Sequence, residues 1–125
     1  LFASCIFNIF IEEMEVRFIK TSSLIGKIID SFNGKPFDVE KYKEAEFLIL
    51  DDLGVEKTTE FAEGVLFGII DYRYERKLPT VITSNIALDD LAKAYPKNGE
   101  RMASRLMEMT PVLPLIGADR RKNEK

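Results

Sequence analysis

Residues 47–50, Phe-Leu-Ile-Leu, are four apolar residues in a row that run straight into Asp51, Asp52, Leu53 and Gly54. A strand with one face in water alternates apolar and polar residues. An unbroken apolar run fits a strand covered on both faces, which is the habit of parallel sheets. Such a sheet needs helices between its strands, so the run points to an α/β fold provided helical segments flank it. They do. Residues 21–34, TSSLIGKIIDSFNG, set Leu24, Ile25, Ile28, Ile29 and Phe32 at helical spacing, with Thr21, Ser22 or Ser23 as cap and Asn33-Gly34 as stop. Residues 59–77 make a longer helical pattern. Phe61, Val65, Leu66, Ile69, Ile70 and Tyr72 or Arg73 line its faces, and Thr58 or Thr59 caps it.

The other segments extend this alternation. Residues 1–15 read as a buried helix, 16–20 as a short strand, 35–45 as a polar connection and 46–50 as the apolar strand. Residues 79–85, PTVITSN, read as another buried strand. Residues 87–95 and 99–109 read as helices, the first capped near Leu88–Asp90. Residues 111–117, PVLPLIG, read as a last strand whose two prolines suit a sheet edge, and a basic tail follows. In a mostly parallel sheet, functional groups gather at the carboxyl ends of the strands. Asp51 and Asp52 end one strand, and Thr83, Ser84 and Asn85 end another, so both clusters fall on one rim.

Composition removes several functions. A chain of 125 residues supports one core. It has no histidine, which excludes histidine triads and histidine metal sites. Its single cysteine, Cys5, allows no internal disulfide and fits a reducing cytoplasm. A net charge of -3 gives no general pull towards nucleic acid or membrane. DNA contact must then use a local patch, for which Lys20, Lys27 and Lys35 around the second helix are the candidates. The leading apolar run lacks a basic start and a cleavage site. Glu12, Glu13 and Glu15 interrupt it short of the ~20 apolar residues of a membrane span. Its missing methionine and missing helix cap make the chain read as a piece of a longer protein.

A carboxylate at the tip of a buried strand is well placed to hold Mg²⁺, which keeps most of its waters and takes one or two carboxylates plus substrate phosphates. A second acid beside it can orient or deprotonate a water that attacks phosphorus. The metal then offsets the repulsion between Asp51 and Asp52. The same residues can also form a turn without chemistry. The Asn85 amide suits an attacking water or a terminal phosphate, although Ser84 or Asn85 can equally cap the helix that follows. The two segments together, about one helix apart, are more specific than either. Arg101 and Arg105 lie four residues apart on one face of an amphipathic helix whose Met102, Leu106 and Met109 turn inward. As basic residues on such a face they can also be simply solvated.

FLILDDLG resembles a Walker B segment, and PTVITSN resembles the sensor-1 strand of AAA+ ATPases. GERMASRLMEM resembles the arginine-finger helix, and LIGADRR the closing strand with its sensor-2 arginine. This order is most similar to the bacterial DnaC/DnaI helicase loaders and the related IstB-like transposition ATPases, and covers nearly the whole chain. The resemblance implies a three-layer P-loop NTPase (AAA+) fold with a mostly parallel sheet, present as one partial domain over residues 1–125. It implies that Asp51 ligates Mg²⁺, partly through water, that Asp52 polarises the attacking water and that Asn85 is sensor 1. It also implies that Arg105 reaches a neighbouring subunit's ATP with Arg101 on the same face. Arg121 is then the sensor-2 arginine, since the family spaces it four residues after the glycine, which leaves Arg120 one residue early. Arginine suits these roles because its fork matches phosphate oxygens.

The implied cofactors are ATP and Mg²⁺. The implied partners are a replicative helicase, single-stranded DNA and further copies of the chain, in the cytoplasm and with no membrane. One departure is large. These ATPases need a loop G-x-x-x-x-G-K-[ST] to cradle the phosphates, and no such stretch occurs. Gly26-Lys27 has no partnering glycine and sits within a helical pattern. The loop and the strand that feeds it would precede Leu1. These 125 residues are therefore expected to bind ATP weakly or not at all, and the intact protein to hydrolyse it. The alternatives are a transposition helper and a non-catalytic interaction domain. A phosphoacceptor receiver domain needs its acidic pair on the first strand and another aspartate two strands later, which is not the order found here.

Overall fold

A computed structural model of the chain describes residues 14–54 and 58–109. Residues 1–13 of the helix expected over 1–15, the strand expected over 111–117, and Arg120 and Arg121 lie outside the described residues. Met14 and Glu15, expected to end the first helix, are not helical.

Strands β1 (Val16–Lys20), β2 (Phe47–Asp51) and β3 (Thr80–Ile82) form a parallel sheet in the order β1-β2-β3. Val16 pairs with Phe47 and Lys20 with Asp51, while Leu48 pairs with Thr80 and Leu50 with Ile82. The order advances in one direction, so right-handed crossovers carry their helices over the same face. Those helices are α1 (Thr21–Phe32), α2 (Glu40–Lys43) and α3 (Glu60–Arg76). After β3 come a 3-10 turn (Leu88–Asp90), α4 (Leu91–Ala94) and α5 (Gly99–Met109). Leu24, Ile25 and Ile28 of α1, Leu66, Ile69 and Ile70 of α3, and Met102 and Leu106 of α5 share one core with Ile19, Leu48 and Leu50. Ile49 points the other way by strand alternation and is also buried, so β2 is covered on both faces, as its apolar run requires.

Local signals decide the boundaries. Thr59 caps α3, its hydroxyl accepting from Ala62 N at 3.1 Å. At α1 the expected Thr or Ser cap does not form. The strand runs into the helix without a linker, so the cap position falls on Lys20, which has no suitable acceptor, and Thr21 is buried. The connection 35–45 contains α2, because Tyr42 finds a buried seat. The expected helix 87–95 divides into a 3-10 turn and a single α-turn. Phe61, read as lining the long helix, is 44% exposed and leans on Phe32, which the sequence set with the apolar residues of α1 but which is 70% exposed, ring centroids 5.0 Å apart.

Of Tyr72 and Arg73, which the sequence left as alternatives lining α3, it is Arg73 that is fully buried. Its Nε donates to Thr80 Oγ1 at 2.8 Å. Its Nη1 donates to the carbonyls of Tyr42, Lys43 and Ala45 at 3.2, 3.0 and 2.8 Å, and its Nη2 to that of Pro79 at 2.6 Å. Burial pushes the guanidinium down to about 10, which leaves it charged at neutral pH. The residue fastens the end of α3 to the chain entering β2 and β3, at the rim opposite the aspartates. No helix among the described residues is long and apolar enough to cross a membrane.

Candidate functional site

Asp51 is the last residue of β2, and Asp52 is the first beyond it. The loop after β3 holds both. Thr83 N donates to Leu50 O at 3.0 Å, and Leu53 N donates to Thr83 O at 2.8 Å. The Thr83 hydroxyl accepts from Asp52 N at 2.9 Å and gives its own proton to Asp51 Oδ1 at 2.5 Å. Ser84 Oγ donates to Leu53 O at 2.6 Å. One threonine therefore fixes the carboxylate of one aspartate and the backbone of the next.

Asp52 has φ 58°, in the left-handed region. This costs a β-carbon residue about 1 kcal/mol, less for aspartate than for most. It ends the strand's alternation, so the two carboxylates are not merely on opposite faces of a pleat. Gly54, at φ 89°, completes the turn, and a Cβ there would lie 2.4 Å from Ile86 Cδ1. The positive φ is what favours glycine at this position, since the Ile86 side-chain end could move aside for a Cβ. Gly54 N donates to the Tyr95 hydroxyl at 2.9 Å, and the Tyr95 carbonyl accepts from Gly99 N, at the start of α5, at 2.7 Å. Buried Glu63 on α3 accepts from the backbone N–H groups of Lys97 and Asn98 at 3.0 and 3.1 Å. The acidic turn and the start of α5 thus share a frame.

Oδ1 of Asp51 is engaged by Thr83. Its other oxygen and the Asp52 carboxylate have no hydrogen-bond partner among the described residues. A carboxylate oriented through one oxygen and open at the other fits Mg²⁺ held with its waters. No group of three acidic, cysteine or histidine side chains gathers among the described residues, so water and phosphate oxygens would complete such a shell. Asn85 is exposed on the same loop and makes no side-chain hydrogen bond among the described residues. The helix-capping alternative for Ser84 and Asn85 does not occur. The cap position of the 3-10 turn is Ala87, without a side-chain bond, and Ser84 is committed to Leu53.

Arg101 and Arg105 are anchored rather than freely solvated. Arg101 donates to Asn98 Oδ1 and lies over the Phe67 ring, 4.3 Å from its centroid. Arg105 Nε donates to Asp71 Oδ1 at 2.8 Å, a bond that raises the arginine's pKa above its ordinary value. Neither contacts Asp51 or Asp52. Arg121 lies outside the described residues. Of the three lysines singled out, Lys27 and Lys35 line a hollow of about 250 Å³ with Lys41, Asp30 and Asp38, over the stacked rings of Phe37 and Tyr42. Lys20 stands at the start of α1, ~10 Å of helix from Lys27, and does not line the hollow. The bridging role of Thr83 and the ties of Tyr95 and Glu63 escaped the sequence reading. The strand expected to be buried over 79–85 is the shorter, half-buried β3, and a threonine directly after it was the available signal for the first.

A family model described as IstB-like ATP binding protein matches residues 9–125. The replicative helicase loader DnaI of Bacillus subtilis (strain 168) is 35% identical over 72 residues, which is 53% of this chain and 23% of DnaI. The crystal structure of the DnaC helicase loader superimposes with a TM-score of 0.68 at 26% identity, covering 84% of this chain and 64% of that one. AMPPCP-bound DnaA from Aquifex aeolicus matches with a TM-score of 0.62 at 15% identity, over 74% of this chain and 30% of DnaA, a likeness of fold. The chain spans less than two thirds of each of these relatives. The α/β fold with a parallel sheet expected from the sequence is that of the AAA+ P-loop NTPases.

Proposed function

The chain belongs to the IstB-like ATP binding protein family, and on that premise we propose that the intact protein is an AAA+ ATPase that loads a replicative helicase onto DNA. The observation that carries the ATPase reading is the Thr83 hydroxyl bonded to both Asp51 and Asp52. It aims one carboxylate through a single oxygen and fixes the backbone of the next residue, whose own carboxylate stays open, which a plain turn does not need.

Asp51 holds Mg²⁺, partly through water. The bound ion neutralises charge on the phosphate oxygens. Thr83 keeps the Asp51 carboxylate aimed by occupying Oδ1. Asp52 orients the attacking water and accepts its proton. Asn85 presents an unencumbered amide to that water or to the terminal phosphate. Arg105, with Arg101 one turn earlier, serves the nucleotide of an adjoining copy, and Arg121 serves its own. Single-stranded DNA phosphates meet Lys27, Lys35 and Lys41. The protein works in the cytoplasm.

The loader reading is supported by the DnaI and DnaC likenesses. The family model, which matches beyond the stretch shared with DnaI, favours a second reading as a transposition helper. The discriminating experiment is sedimentation of the full-length protein with the replicative helicase of its own organism, with and without ATP. An ATP-dependent complex is the expected result. ATP-dependent complexes with a transposase and none with the helicase would overturn the loader reading.

A further inference from the structure

Arg105 sits in a small interlocked cluster between two helices. Asp71 and Tyr74 are three residues apart on α3, and Arg105 and Glu108 are three residues apart on α5. Arg105 Nε donates to Asp71 Oδ1 at 2.8 Å, and its guanidinium lies over the Tyr74 ring at 4.9 Å from the centroid. The Tyr74 hydroxyl donates to Glu108 Oε2 at 2.6 Å. The side chains of Asp71 and Arg105 are 29% and 33% exposed, so the cluster lies at the margin of the surface.

The manner of holding is informative. An arginine serving only as a brace usually meets a carboxylate with two parallel N–H groups. Here Asp71 takes Nε alone and Tyr74 takes the flat face. Both Nη groups are left without a partner among the described residues. The side chain is gripped at its neck, and its outer donors are presented.

We propose that Asp71 is a positioning residue for Arg105, fixing the guanidinium so that its Nη groups are preset for the phosphate of a nucleotide held by an adjoining copy. This rests on the reading of Arg105 as acting across the subunit boundary. A long side chain that is already ordered needs no search when the neighbour's site assembles, and small losses of placement at such a contact reduce turnover by large factors. Asparagine at position 71 keeps an oxygen that can accept from Nε, whereas alanine keeps none.

The test uses mixed assemblies of the full-length protein. Arg105→Ala subunits have an intact ATP site and no reaching arginine. Asp52→Asn subunits do not hydrolyse ATP but carry Arg105. Mixing the two restores turnover, and adding Asp71→Ala to the Asp52→Asn subunit lowers that restored kcat roughly ten- to hundredfold. The KM for ATP stays unchanged, because the ATP is bound by the other subunit. Adding Asp71→Asn instead restores kcat to within a few fold of the unaltered mixture. Assembly, followed by sedimentation in the same mixtures, is unchanged throughout. Full rescue by the Asp71→Ala subunit overturns the proposal while leaving the role of Arg105 intact. A loss of assembly in step with the loss of turnover also overturns it, since Asp71 is then a brace between helices. No rescue by Asp52→Asn alone, with assembly present, removes both the proposal and the reading beneath it.

Discussion

Thr83 and Asp51, 32 residues apart in sequence, meet in a 2.5 Å hydrogen bond at the carboxyl rim of the sheet. The same hydroxyl accepts the Asp52 N–H, so its single proton has one place to go. Thr83→Val keeps the shape and removes both bonds. It leaves the Asp52 N–H unsatisfied in a half-buried turn, at a cost of about 1–2 kcal/mol in stability. In the full-length protein it also lowers ATP turnover, because Asp51 loses its orienting partner. Thr83→Ser retains the hydroxyl and stays near the parent in both. Urea unfolding and steady-state hydrolysis of the two variants check this pair of outcomes.

Arg73 makes its stabilising contacts far from the acidic turn. Five hydrogen bonds from one guanidinium to carbonyls and a hydroxyl cannot be reproduced by an ammonium with three protons. Arg73→Lys therefore destabilises the fold by about 3 kcal/mol or more, through carbonyls left buried without donors. Chemical denaturation measures it, and a change below about 0.5 kcal/mol, the scale of ordinary surface substitutions, contradicts the account.

Tyr74 provides a pH signature. Its hydrogen bond to Glu108 raises the phenol above its ordinary value of 10.0, and burial and the carboxylate's charge push the same way. A group whose folded pKa is raised favours the folded state fully below the unfolded value. That contribution is lost as pH rises through the raised value. Ultraviolet titration of the protein, less that of Tyr74→Phe, shows this phenol ionising above 10. Glu108→Gln brings its midpoint down. An unmoved midpoint in Glu108→Gln means that the bond does not form in solution.

What the sequence disclosed depended on the range of each interaction. The apolar run at 47–50 fixes a strand covered on both faces, and Ile49 is buried alongside Leu48 and Leu50. Thr59 caps α3 and Met102 and Leu106 turn inward, because capping and helical periodicity act within a few residues. Periodicity also offered Arg73 as one of the residues lining α3, but its acceptors lie on two separate stretches, 42–45 and 79–80, that no local pattern connects. Thr83, Tyr95 and Glu63 act through bonds spanning 31 to 41 residues, so their roles needed the sheet in place. Phe32 and Phe61 sit at the margin of their helices, which hydrophobicity alone does not distinguish from the core.

The division of labour between Asp51 and Asp52 is tested most directly by measuring ATP binding and hydrolysis in the full-length protein with each aspartate changed to asparagine. Asp52→Asn lowers turnover by ~10²- to 10⁴-fold, the contribution of a positioned base, and leaves Mg²⁺-ATP affinity unchanged. Asp51→Asn weakens Mg²⁺-dependent binding as well as turnover. Equal and mild effects from both substitutions would contradict the account and make residues 51–54 a turn with no part in the chemistry.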